Sequence, residues 1–222
     1  MIALAKRRAA DRHVDSCLSK WNCEVQAKAK PRKRNAAKTR AQILDAAQRL
    51  FSNKDYSQAK ISEIAADAGV NQALVIRYFH SKEKLFETAL IAAIEHRWKE
   101  ADARVDRSRF GERVVDQMID DERFFANPLA MSFHASSNPR TRAIATALVE
   151  AHLVTSLAEW LGEGPAAVRA TQVLAMCAGL FTFRRLLPLD PFQDDCDPEL
   201  RSWFAATIQA VVENDPAGVG GG

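Results

Sequence analysis

The sequence predicts an all-α protein with about nine helices. Apolar residues recur at helical spacing through most of the chain, as in TRAQILDAAQRLF, and the alternation typical of strands is almost absent. The pairs Asn138-Pro139 and Asp197-Pro198 have the composition of a helix N-cap followed by proline in the first turn, and Asn127-Pro128 begins a short element. These signals predict three short helices, a linker helix and five helices around a larger core.

The N-terminal helices follow one another closely. ILDAAQRLF (43–51) places its apolar residues on one face of a first helix, which is broken by the polar residues that follow. ISEIAADA is a short second helix, and Gly69 stands where a left-handed residue commonly ends a helix. Asn71 is the expected N-cap of a third helix and Ser81 that of a fourth, which we expect to extend to about residue 106.

The C-terminal part continues in helices. A segment after Gly111, ERVVDQMIDDERFF, is followed by helices expected over about 139–161, 165–187 and 198–213. The turn Gly-Glu-Gly-Pro separates the first two of these long helices, and two prolines end the second. We therefore predict a C-terminal domain over 98–214.

The positive charge of the chain is concentrated at the N-terminus. The formal net charge is +3, yet residues 1–40 carry twelve Lys and Arg against three Asp and Glu. Residues 1–36 are expected to form a disordered basic arm, and 215–222 a flexible tail. The arm indicates an anionic partner, although a solvated tail without a function, or an organelle transit peptide, has a similar composition.

Cysteine spacing and hydropathy indicate a cytoplasmic protein without a membrane partner. Cys17, Cys23, Cys177 and Cys196 include no C-x-x-C pair, and a chain of this size needs no disulfides. No segment reaches the roughly 18 consecutive apolar residues of a membrane span. The longest candidate, 173–183, is followed by two arginines.

Catalysis finds no support in the motifs. The chain has no P-loop, no G-x-S-x-G, no G-x-G-x-x-G and no H-E-x-x-H. The carboxylate clusters at 120–122 and 194–197 have the composition of solvated surfaces. We therefore expect no enzyme activity, no cofactor and no metal site.

A short helix, a glycine turn and a second short helix form the helix-turn-helix arrangement. In the third helix, Val75 and Phe79 are spaced to face a core. Gln72 lies at the helix end that contacts bases, where glutamine can pair with adenine. Arg77 could hold a phosphate or a guanine, or it could be a surface ion-pairing residue. Lys82 stands at a helix N-terminus, which favours a phosphate. The full set of DNA-binding candidates is Lys60, Asn71, Gln72, Ala73, Leu74, Arg77, Tyr78 and Lys82.

Residues 39–90 resemble the N-terminal domain of the tetracycline-repressor (TetR) family of bacterial regulators. The resemblance is carried by ILDAAQRLF, Tyr56, ISEIAADAGV and the pattern YF-x-SKE-x-LF (78–86), in that order and spacing. It implies a DNA-binding domain over 37–97, with the helix-turn-helix at about 60–79, and an effector-binding and dimerisation domain after it.

Three positions depart from the family pattern. Asp55 precedes the aromatic residue where the family often has glycine, and Lys60 opens the second helix where Thr or Ser is usual. The change to Lys60 removes a cap, although a lysine there can still meet a phosphate. Leu74-Val75-Ile76 replaces Thr-Leu-Tyr, which removes a typical phosphate contact.

The resemblance also implies that the C-terminal domain pairs with a second copy and binds a small effector. The predicted dimer face is Leu174, Gly179, Phe183, Trp203, Phe204 and Ile208. The candidate ligand pocket, whose members could equally be core, is Phe124, Phe125, Met131, Phe133, His134, His152, Trp160, Met176, Phe181 and Arg184. If Arg184 faces inward, an anionic effector is favoured.

The leading hypothesis is a DNA-binding transcriptional regulator in the bacterial cytoplasm, associated with the nucleoid. It would be a repressor that a small-molecule effector releases from a palindromic operator in double-stranded DNA. A helical carrier or sensor of a small molecule, without specific DNA reading, is the alternative. A third possibility is nonspecific nucleic-acid binding by the basic arm.

Overall fold

The computed structural model describes residues 35–102, 106–120, 127–162, 164–193 and 196–213. Residues 1–34 of the predicted disordered arm, the C-terminal tail and the pocket candidates Phe124 and Phe125 lie outside these ranges, whereas residues 35 and 36, predicted to belong to the arm, are helical. Within them the chain forms nine helices and no strand, which confirms the all-α prediction.

The helices have bounds close to the predicted ones. They are α1 (35–53), α2 (Ile61–Asp67), α3 (Gln72–Phe79), α4 (Lys82–Asp102), α5 (Phe110–Asp120), α6 (Pro128–Ala135), α7 (Pro139–Leu161), α8 (Ala166–Leu186) and α9 (Pro198–Glu213). Two of them change pitch: α7 is π-helical over Val149–Val154, and α8 ends in a π-helical turn, Thr182–Leu186. Short 3-10 turns stand at Arg107–Arg109 and Asp190–Phe192.

The three cap-plus-proline pairs begin helices. The side-chain oxygens of Asn127, Asn138 and Asp197 each accept hydrogen bonds from two first-turn backbone N–H groups, at 2.8–3.2 Å. Proline follows each of them because its missing N–H is one that a helix start leaves unpaired. Helix α4, in contrast, ends earlier than expected, since Asp106 is no longer helical and instead caps the next turn through the Ser108 N–H, at 3.1 Å.

Two hydrophobic cores organise the helices. The first lies among α1–α4 and contains Phe51 and Phe86, whose rings meet edge to face at 5.3 Å. It also takes in Met131 and Ala135 of α6, so apolar packing does not divide at the predicted domain boundary at 97. The second core lies among α5, α7, α8 and α9. Helix α6 therefore packs with the N-terminal helices although it follows them by a long stretch of sequence.

Two arginines bind the C-terminal ends of α7 and α9. The buried Arg169 donates to the carbonyl oxygens of Leu161, at 3.2 Å, and Val212, at 3.1 Å. Arg107 donates to the same Leu161 carbonyl at 2.7 Å. The last carbonyls of a helix are unpaired and carry partial negative charge, so these guanidinium groups stabilise both helix ends.

Helices α7 and α8 are long and apolar enough to cross a membrane, by length and composition alone. This differs from the prediction that no segment would qualify. The prediction looked for an uninterrupted run of apolar residues. These helices instead reach the mean hydropathy of a membrane span with small residues between the apolar ones and few charges. Core helices of soluble proteins pass the same test. In the most apolar 18-residue stretch of each helix, 17% of α7 and 28% of α8 is buried inside the chain. Both helices therefore leave apolar surface uncovered.

Candidate nucleic-acid interface

The turn between α2 and α3 has the geometry that the sequence predicts. Gly69 adopts a φ of +65°, and the Val70 N–H donates to the Ala65 carbonyl at 2.9 Å, which closes the end of α2. At the other end of α2, the Glu63 carboxylate accepts from the Lys60 backbone N–H at 3.1 Å. Glu63 thus satisfies one donor at the helix start, a compensation for Lys60 that the sequence analysis missed.

Helix α3 presents a polar and an apolar face. Asn71 caps it, since its side-chain oxygen accepts from the Ala73 N–H at 2.8 Å. Val75 and Phe79 are buried in the first core, as predicted. The exposed residues recur at i, i+1, i+4 and i+5, which makes them one continuous stripe: Gln72, Ala73, Ile76 and Arg77. We call these four residues the α3 stripe.

The exposure of α3 differs from the predicted DNA-binding set at Leu74 and Tyr78. Leu74 is half-buried, because it lies on the flank of the helix that turns toward the core, whereas Ile76 has 42% of its surface exposed. Tyr78 is also half-buried and packs against the first core. Sequence reasoning missed Ile76, although its spacing of four residues from Gln72 was the available signal.

The cations of the N-terminal helices divide into two groups. Three are ion-paired: Arg49 with Asp67 at 2.8 Å, Lys54 with Glu63 at 2.9 Å and Lys84 with Glu87 at 2.6 Å. Lys60 and Arg77 are exposed and form no ion pair within the described ranges, although, besides the hydrogen bond from Lys54, the charge of Lys60 helps to lower the pKa of Glu63. Their charge is therefore directed to solvent, on the part of the surface that carries α3.

Lys82 contacts Tyr56 in this structure. Its amine donates to the Tyr56 carbonyl oxygen and lies 4.2 Å from the centre of the Tyr56 ring. Partial burial lowers the pKa of Lys82, and burial raises the pKa of Tyr56 to about 12. The predicted cap is present, since the Ser81 hydroxyl accepts from the Lys84 N–H at 3.1 Å. Lys82 thus joins the start of α4 to the turn between α1 and α2.

Helix α6 joins the N-terminal helices to the rest of the chain. The Tyr56 N–H donates to the His134 carbonyl at 3.0 Å, and the Asn127 N–H donates to the buried Ser52 hydroxyl at 3.2 Å. On the other side of α6, Phe133 stacks on Phe181 of α8 with ring centres 5.7 Å apart. A displacement of α6 relative to α8 would therefore reach the turn between α1 and α2.

The candidate pocket residues are spread over both cores. Met131 lies in the first core and Met176 against the second. Trp160 packs on Phe110, with ring centres 4.7 Å apart, and under the Arg107 guanidinium. His134 and His152 are half-buried, the latter in the π-helical part of α7.

Arg184 makes contacts other than those expected of an effector anchor. It donates to the backbone carbonyls of Ile119, at 2.9 Å, and Phe192. These bonds tie α8 to the end of α5 and to the loop before α9. The inference of an anionic effector loses its basis, because the guanidinium already has backbone acceptors.

The predicted dimer face is also corrected in part. Ile208 is fully buried in the second core of its own chain, and Phe204 is nearly so, because the apolar side of α9 packs on α5. Phe183 and Trp203 are exposed, with 38% and 51% of their surfaces accessible. At Gly179, no described atom outside the adjoining backbone of α8 lies within 4 Å of the position that a Cβ would occupy.

Two family models match this chain. The model of bacterial regulatory proteins of the tetR family matches residues 43–89, and that of the tetracyclin repressor-like C-terminal domain matches residues 108–212. The chain belongs to the TetR family. The first match covers α2, α3 and most of α1, and the second covers α5 to α9.

Two curated relatives match this TetR-family chain over short segments. A helix-turn-helix transcriptional regulator of Mycobacterium tuberculosis is 49% identical over 43 residues, which is 19% of this chain and 21% of that protein. The transcriptional repressor NicS of Pseudomonas putida is 38% identical over 65 residues, 29% of each chain. The match thus spans less than a third of the length of either relative.

Solved structures extend the likeness to most of the fold. A TetR-family transcriptional regulator from Rhodococcus sp. superposes with a TM-score of 0.62 at 16% identity, over 79% of this chain and 99% of that one. At this level of identity the likeness concerns the arrangement of helices.

Proposed function

We propose that this TetR-family chain is a transcriptional regulator that binds a palindromic operator in double-stranded DNA as a homodimer. The observation that carries the proposal is the α3 stripe. It combines a base-pairing amide, two apolar contacts and an unpaired cation on one exposed helix face, while the opposite face is fixed in the core. A helix built in this way fits the major groove.

Each residue of the α3 stripe has a proposed role. The Gln72 amide pairs with adenine, and Ala73 and Ile76 contact thymine methyl groups. Arg77 binds a guanine or a phosphate. Lys60 binds a phosphate beside them, and Lys82 does so when DNA draws its amine away from Tyr56. Asn71 acts mainly as the helix cap that fixes the stripe, because its side chain is already bonded to the Ala73 N–H.

We further propose that a second copy covers the apolar surface of α8. Val168, Ala175, Gly179 and Leu186 follow one another along one side of this helix and are exposed or half-buried. The exposed Phe183 is connected to α9 through Phe192, which packs on Phe183 at 5.6 Å and on Phe204 at 6.2 Å, and Phe204 packs on the exposed Trp203 at 4.9 Å. Two copies joined here would present two α3 helices to half-sites about 34–36 Å apart.

Release by a small-molecule effector follows from the position of α6. An effector bound in the C-terminal domain would displace α6 through the Phe133–Phe181 stack, and α6 holds the turn at Tyr56. It must bind the released arrangement more tightly than the DNA-bound one, since equal affinity would shift nothing. Repression is supported by the name of the relative NicS, a transcriptional repressor. We assign the protein to the bacterial cytoplasm and nucleoid and assign it no catalysis.

Selection from a random duplex pool tests the proposed function. At about 150 mM salt, we expect the wild-type protein to enrich a palindromic sequence. The double variant Gln72→Ala/Arg77→Ala should lose this enrichment, because each base contact is worth about 1–3 kcal/mol of discrimination. Sequencing of the bound pool is the measurement.

The control is the double variant Arg113→Ala/Arg142→Ala, which removes two exposed arginines of α5 and α7 and should select the same palindrome as wild type. Failure of the wild-type protein to enrich any sequence would contradict the proposal. So would an unchanged palindrome in the Gln72→Ala/Arg77→Ala variant.

A further inference from the structure

Arg40 of α1 lies against the end of α3. Its guanidinium carbon is 5.0 Å from the centre of the Phe79 ring, and Phe79 is the last residue of α3. Arg40 itself is exposed, whereas Phe79 is buried. The cation therefore stands at the surface, immediately beside the helix that carries the α3 stripe.

The position of Arg40 along α1 explains this contact. It precedes Ile43, Leu44 and Ala47 by three, four and seven residues, and these three side chains form part of the first core. Residues at such spacings share one side of a helix. Arg40 thus continues the core-facing side of α1 beyond the edge of the core. Its guanidinium group can therefore lie on the Phe79 ring while the rest of the group stays in water.

The hydrogen-bonding edge of Arg40 is available to a ligand. Within the described ranges Arg40 makes no hydrogen bond and no ion pair. It contacts the Phe79 ring through its guanidinium group. A guanidinium group that stacks on an aromatic ring keeps its N–H groups in the plane of the group, where they can bind the oxygens of a phosphate.

Arg49 of the same helix shows the opposite arrangement. Its Nε and Nη2 atoms donate to the Asp67 carboxylate at 3.0 and 2.8 Å. It follows Arg40 by nine residues, which places it on the opposite side of α1. One arginine of α1 is thus neutralised by an acidic residue of α2, and the other is held beside α3 without a counter-ion among the described residues.

We propose that Arg40 binds a backbone phosphate of the operator, a DNA contact outside the helix-turn-helix. This inference rests on the proposed function and adds α1 to the DNA interface. A phosphate contact carries no sequence information, so its role is to fix how α3 lies in the groove. Because a dimer carries two copies of Arg40, the contact would be made at both half-sites.

The variant Arg40→Met separates this role from a structural one. Methionine keeps an unbranched apolar stem over Phe79 and removes the charge and the N–H donors. The matched control is Arg49→Met. Binding is measured by fluorescence anisotropy across a salt series. The probes are a random-sequence duplex of about 30 base pairs, long enough for two half-sites, and the palindrome enriched by the wild-type protein.

We expect Arg40→Met to weaken binding to both duplexes about tenfold, as the loss of a charge-assisted contact would. The slope of log K against log salt should become shallower by about 0.9 per subunit. Arg49→Met should keep the wild-type slope, because the charge of Arg49 is already paired with Asp67. A change in the slope is a result that a purely structural role for Arg40 would not produce.

An unchanged salt slope in Arg40→Met would overturn the Arg40 contact, whether or not the variant unfolds at a lower temperature. If the Gln72→Ala/Arg77→Ala variant still loses the palindrome, the proposed function survives that result. Absence of duplex binding by the wild-type protein would instead overturn both proposals.

Discussion

Replacement of Gly179 by leucine is expected to convert the proposed dimer into folded monomers. Among the described residues, and apart from the neighbouring backbone of α8 itself, no atom lies within 4 Å of the position of a Cβ at this glycine, so a larger side chain meets no obstacle there. In a helix interior leucine is also favoured over glycine, by about 0.8 kcal/mol. A partner helix packed closely at Gly179 would, in contrast, be pushed away by the new side chain.

The Gly179→Leu variant is tested by light scattering after size exclusion and by circular dichroism. We expect light scattering to give the mass of one subunit and circular dichroism to give the helix content of the wild type. The affinity for the operator should fall by at least about a hundredfold, because a monomer engages one half-site. Ala143→Leu, a similar enlargement at an exposed position of α7, should remain dimeric. A Gly179→Leu protein with the mass of a dimer would show that α8 does not form the interface.

Replacement of Gly111 by alanine is expected to lower the free energy of unfolding by about 3 kcal/mol, at the upper end of what overpacking costs. Helix α5 approaches α9 closely here, since a Cβ would stand 2.1 Å from the Ala205 carbonyl oxygen and 3.0 Å from the Gln209 backbone nitrogen. These atoms belong to the backbone and cannot rotate away, so the helices would have to separate. The bond from the Gly111 N–H to the Gln209 side chain, at 3.0 Å, would weaken with them.

Urea unfolding at a fixed protein concentration measures this effect, because the stability of a dimer depends on concentration. Arg113→Ala, an exposed position on the same helix, is the control and should change the free energy of unfolding by less than about 0.5 kcal/mol. Equal stability of Gly111→Ala and wild type would mean that α5 and α9 do not approach as closely as the structure shows.

Elements set by local chemistry could be predicted from the sequence. The glycine at the end of α2, the Asn71 cap of α3 and the burial of Val75 and Phe79 depend on residues close together in the chain. Their conformation follows from φ preferences, cap hydrogen bonds and helical spacing. The same local rules located the cap-plus-proline helix starts, and the motif order around α3 indicated the family.

Predictions failed where a residue's surroundings come from distant segments. Helical spacing marks two possible sides for α9, and only its packing on α5 shows that Ile208 belongs to the core of its own chain. Arg184 was a candidate anchor until the carbonyl of Ile119, far away in sequence, was found to accept its N–H. The hydrogen bond from the Lys60 backbone N–H to the Glu63 carboxylate is a different case. It joins residues three apart in the chain, so it could have been predicted from the sequence.

The sequence by itself determined the helices, their caps and the side of α3 that enters the core, because backbone preferences and the hydrophobic effect act at short range and with a fixed period. Tertiary structure alone decided that α6 packs with the N-terminal helices, that Arg49 is neutralised by Asp67, and that Arg40 is held beside α3 without a carboxylate. The physical reason is that a cation's role depends on which acceptor lies within a few ångströms of it. That acceptor is supplied by another part of the fold.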